Sequence, residues 1–167
     1  MALKMLFQAM AELVRLHKEL RALSLEKTEL LKSNDMEAFS LLLKKESKLA
    51  RLIEKTEQER QQAAQEFMNA EGGSEENGMV TMNDVLDRLT DSYKEPLLTL
   101  RTSLLQEITK LQEQETLNRT MINDSLQFVQ LTLDLIQPDP EAVHYSRPGD
   151  QPKKQRSEGF STFDSKA

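Results

Sequence analysis

Helix-breaking residues are confined to two regions of this 167-residue chain, and that distribution constrains the fold more than any other feature. All five glycines lie at positions 72, 73, 78, 149 and 159, and four of the five prolines lie at 138, 140, 148 and 152. Glycine loosens the backbone and proline removes a donor, so both interrupt helices and gather in turns. They leave residues 1–69 free, mark a connector over 70–82, and leave a long run to Gln137 that is broken only at Pro96.

Hydrophobic periodicity fills these stretches with helices. Leu3, Leu6, Met10, Leu13, His17 and Leu20 follow 3-4 spacing and line one face of a first helix, over about 2–32. The pattern restarts at Ser33-Asn34-Asp35, where Asn34 and Glu37 have the spacing of an N-cap with an acid at N3. Phe39, Leu42, Glu46, Leu49, Ile53, Thr56, Arg60, Ala63 and Phe67 then keep heptad spacing through a second helix over about 35–69. Its length is roughly 50 Å at about 1.5 Å per residue. Asp84 is placed to cap a short helix over about 83–94 that carries Val85, Leu86 and Leu89. Pro96 should end that helix near Lys94, and a last helix over about 96–137 runs to Pro138 and Pro140. The expected fold is all-α, an elongated antiparallel bundle or coiled coil of three long helices plus one short one. It forms a single helical domain over 1–137, and a tail over 138–167 is expected to be disordered.

Chemistry is sparse. Charged residues make up 30% of the chain and aromatics 5%, so the core must be built from aliphatic side chains along narrow seams. The net charge of -6 comes from scattered charges, which argues against nucleic acid and an anionic membrane surface as partners, and no apolar run is long enough for membrane insertion. Without cysteine there is no thiolate nucleophile or thiolate metal site. His17 and His144 have no ligating company, and Glu57-Gln58-Glu59 and Glu75-Glu76 lack the alternating ligands of a calcium loop. No phosphate-binding loop, catalytic residue, metal ligand or cofactor site is expected. The chain starts without a signal-peptide layout and has no run of about 18 apolar residues, so the cytoplasm is the expected location.

The last helix carries more apolar surface than one docking face can bury. Ile122, Leu126, Val129, Leu133 and Ile136 form an ordinary core stripe, while Leu117, Met121, Phe128, Leu131 and Leu135 lie almost opposite. The second stripe could be covered by the tail or a dimer mate, or could accept the apolar face of a partner helix. Phe160 and Phe163 could occupy it until a client arrives.

Several stretches resemble the FlgN family of flagellar export chaperones. Leu13, Leu16, Leu20 and Leu23 lead through Glu26-Lys27-Thr28-Glu29-Leu30-Leu31 to Ser33-Asn34-Asp35, much as the first two FlgN helices join. Leu117-Asn118-Arg119-Thr120-Met121-Ile122 and Ser125-Leu126-Gln127-Phe128-Val129 look like the family's L-N-x-x-L-I-x-x-S-L-x-F stretch, and Tyr145 with Gly149 matches a Tyr-x-x-x-Gly element. The resemblance implies a non-enzymatic cytoplasmic chaperone of type III secretion in flagellum biogenesis. Such a chaperone binds the terminal, mainly C-terminal, helices of hook-associated (hook-filament junction) proteins, prevents premature assembly and delivers its clients to the export gate. On that reading Leu117, Met121 and Phe128 are client contacts, joined from the stripe argument by Leu131 and Leu135, and Tyr145 docks to the gate. The alternative is a structural or adaptor coiled-coil protein whose apolar stripe is a homodimer seam or binds another helical partner.

Overall fold

The computed structural model describes residues 1–72 and 80–136, and among these it holds four helices and no strand. They are α1 (Ala2–Ser33), α2 (Met36–Ala70), α3 (Met82–Arg88) and α4 (Asp91–Ile136). The all-α class is as expected. The proposed tail, Tyr145 and the two late phenylalanines lie outside the described residues.

Two residues reverse the chain between α1 and α2. Asn34 takes a left-handed conformation with φ 55°, and its N–H donates to the Leu31 carbonyl while that of Asp35 donates to Leu30. That is a Schellman ending, in which asparagine stands where glycine is common. The Asp35 side chain then accepts from the Ala38 N–H at 3.0 Å. The N-cap of α2 is therefore Asp35 and not Asn34, because Asn34 is already committed to turning the chain.

α1 and α2 form an antiparallel hairpin: Leu6 and Met10 share a core with Ala63, Ala64 and Phe67, and Lys27 meets Glu46 near the other end. The heptad positions of α2 behave as their spacing requires. Leu42, Leu49, Thr56, Ala63 and Phe67 are buried, and Phe39, Glu46, Ile53 and Arg60 are half-buried.

Thr81, rather than Asp84, caps α3. Asp84 sits at N3 and completes a capping box, its carboxylate accepting from the Thr81 N–H at 2.8 Å. The break before the last helix falls at Leu89–Thr90, earlier than Pro96, which lies inside α4. Leu89 is extended, and the Thr90 carbonyl accepts the first helical bonds from Tyr93 and Lys94. A proline in the second turn forfeits a single backbone bond, too little to end a helix whose next residue, Leu97, is fully buried.

The main core, at one end of the hairpin, unites Leu6, Met10, Ala63, Ala64, Phe67, Val85, Leu86 and Leu97, with Leu100 and Leu104 packed against it. From there α4 runs parallel to α1, since Leu97 meets Leu6, Glu107 meets Arg21 and Asn118 meets Thr28. The chain divides into two units, Met1–Phe128 and a second that begins at Val129.

Candidate helix-docking surface

The seam between α1 and α4 changes character along its length. Beside the apolar core it is built from leucines, but farther along the buried residues are Ser24, Lys27, Thr28, Glu107 and Asn118. Ser24, Lys27, Thr28 and Asn118 form a connected set, and Glu107 makes a separate pair. Gln114 Nε2 donates to Thr28 Oγ1 at 2.6 Å, and Thr28 Oγ1 donates to Asn118 Oδ1 at 2.6 Å. Asn118 Nδ2 donates to the Ser24 carbonyl at 2.8 Å and to Ser24 Oγ at 3.1 Å, and Ser24 Oγ donates to Glu115 at 2.5 Å. Lys27 Nζ bridges Glu115 at 3.0 Å and Glu46 of α2 at 2.6 Å. Arg21 pairs with Glu107 at 2.8 Å.

Such a layer is tolerable because its buried groups have partners. Burial pushes the Glu115 carboxyl up, yet the hydrogen bonds from Ser24 and Lys27, with the Lys27 charge, hold it below its ordinary value. The layer was not anticipated, although a signal was present. The 3-4 seam of α1 continues from Leu20 to Ser24, Lys27 and Leu31, which puts a serine and a lysine at core positions. Asn118, part of the stretch compared with known chaperones, is 1% exposed and belongs to this layer.

Beyond the layer the hairpin ends. Thr28 is level with Asn118, so Ser33, five residues on, is level with Asn123, also five residues on. Neither α1 nor α2 reaches past this point, and α4 continues without them. Leu126 is 63% exposed and Phe128 71%. Leu117 is also exposed, Met121 is half-buried, and both share a side of α4 with Phe128. In the second unit, Val129, Leu131, Leu133, Leu135 and Ile136 are all exposed, with Leu135 highest at 88%.

The expected core stripe is therefore corrected. Of Ile122, Leu126, Val129, Leu133 and Ile136, only Ile122 is even half-buried. For Leu126 the reason is that the helices needed to cover it have stopped. Both sides of the helix, rather than one, carry exposed apolar side chains.

His17 is a seam residue, half-buried, with Nδ1 donating to the Leu13 carbonyl at 2.8 Å. Among the described residues no group of three or more His, Asp or Glu could hold a metal ion, and no helix is long and apolar enough to cross a membrane.

The model of the FlgN protein family matches residues 1–153. The chain belongs to the FlgN family. FlgN proteins are flagellar export chaperones, which bind other proteins rather than transform them, and flagellum biogenesis is the setting of this FlgN chain. It is 32% identical over its full length, and over the full length of the relative, to the uncharacterized protein YvyG of Bacillus subtilis (strain 168). No solved structure matches it.

Proposed function

We propose that this FlgN-family protein works in the cytoplasm, where it receives the terminal helical segments of hook-filament junction proteins on the late part of α4. There it keeps them from assembling early and delivers them to the export gate. One observation carries this reading: a helix with apolar side chains on opposite sides stays exposed where its own bundle has ended. Apolar surface of that extent on a soluble chain marks a partner site. Leu117, Met121 and Phe128 occupy the positions that match the family stretch, and Leu131 and Leu135 follow on the same helix. Full burial of a large apolar side chain contributes about 1.5–3 kcal/mol. Five such positions, already partly covered, support roughly micromolar binding once association costs are subtracted. Docking to the gate through Tyr145 rests on its resemblance to the Tyr-x-x-x-Gly element.

The test is calorimetry with the C-terminal helical segment of a hook-filament junction protein from the same organism, with Phe128→Asp as control. Binding at 1:1 that the variant loses supports the reading. Absence of binding, together with a dimer that persists on dilution, replaces it with a homodimer seam.

A further inference from the structure

α4 is fixed at one end by apolar packing and held farther along by polar groups. Its buried residues are Leu97, Glu107 and Asn118. Leu97 belongs to the main core, whereas Glu107 and Asn118 meet α1 through Arg21, Ser24 and Thr28. From Arg21 to Thr28 the hold of α1 on α4 is made by hydrogen bonds and an ion pair. Separating such a seam exchanges each hydrogen bond for one to water, a far smaller loss than exposing an apolar core. The stretch from Leu104 to Asn118 is a lever of about 21 Å, and a tilt of roughly 15° about the apolar anchor moves its end by about 5 Å, beyond hydrogen-bond reach.

We propose that the polar seam is a clasp that opens when a client helix is taken up, so that its strength sets the affinity for the client. The proposal rests on the client-binding reading above and adds its regulation. Ile108, Leu111 and Ile122 are half-buried along this stretch of α4, and lifting the helix frees their covered surface, with Ile122 one turn from exposed Leu126. A client that gains those contacts binds the open form better, which is the differential affinity a ligand needs to shift a conformation. In the free protein the closed clasp lowers the apparent affinity by the fraction that is open.

The absence of cysteine allows two spin labels, at Lys44→Cys on α2 and Gln112→Cys on α4, both exposed positions. Their distance distribution is measured by pulsed electron resonance alone and with saturating junction-protein peptide, whose binding to the same labelled protein is confirmed by calorimetry. Asn118→Ala and Lys27→Met weaken the clasp, and circular dichroism checks that each keeps its helix content. The peptide should lengthen and broaden the distances. Each variant should broaden them without peptide and bind it roughly 3- to 10-fold more tightly. Unchanged distances with peptide bound, or wild-type affinity in both variants, overturn the clasp. So does loss of helix content in both, since the seam would then be part of the folding core; if one loses it, the other decides. If the peptide does not bind the wild type, the client reading fails and the labels alone decide. Broadening in the variants then keeps the clasp, and its absence rejects it.

Discussion

Replacing Lys27 by methionine keeps the length of the side chain and removes its charge, which isolates the electrostatic part of the polar layer. In the native protein the Lys27 side chain is 6% exposed and lies within 3.0 Å of two carboxylates, Glu46 and Glu115. Breaking a fully buried pair by removing one partner costs about 3–5 kcal/mol. Here Glu46 is 21% exposed and Glu115 37%, so water relieves part of the loss. We therefore expect Lys27→Met to lower the unfolding free energy at pH 7 by about 2 kcal/mol. That shifts the urea midpoint by roughly 1 M for a slope of about 2 kcal/mol/M. The loss should also depend on pH. Glu115 titrates below its ordinary value of about 4.5 in the folded wild type, so its contribution is present above that value and fades as the pH falls through the lowered one. Without Lys27, burial pushes the same carboxyl up, and acid neutralises the unpaired charge instead of breaking a pair. The gap between wild type and variant should accordingly narrow between pH 7 and pH 4. Urea titrations followed by circular dichroism at both pH values measure it. A variant as stable as wild type at pH 7, or an equal loss at both pH values, would refute the reasoning.

Two other substitutions separate core from surface. Leu97→Ala empties a fully buried site in the main core and should lower stability by about 2–5 kcal/mol, whereas Leu126→Ala, at a position 63% exposed, should change it by less than about 0.5 kcal/mol; paired thermal melts compare them. Asp35→Ala removes the side-chain acceptor for the Ala38 N–H and should lower stability by about 1 kcal/mol, read from the urea midpoint.

Much of the architecture was legible because it is local. The heptad positions from Phe39 to Phe67 all turn inward to some degree, and the reversal at residues 34–35 was expected, since spacing and turn chemistry are set by neighbours in the chain. Misassigned caps at Asn34 and Asp84 came from two candidate polar residues standing side by side or three apart, where the backbone chooses by its path. Pro96 has the chemistry of a stop, yet burial of Leu97 outweighs one missing bond.

The sequence by itself determined that the chain is helical, where its first reversal falls and that α4 carries apolar residues on opposite sides. Tertiary structure decided which of those residues the protein covers. Nothing in the periodicity of Leu126 tells how far α1 and α2 extend alongside it, because reach depends on the register between helices. Register also brought Ser24, Lys27 and Thr28 against Glu115 and Asn118, some ninety residues away in the chain, and turned scattered polar side chains into one connected layer. Side-chain pattern is a property of one helix, while burial and pairing are properties of the helices that lie beside it.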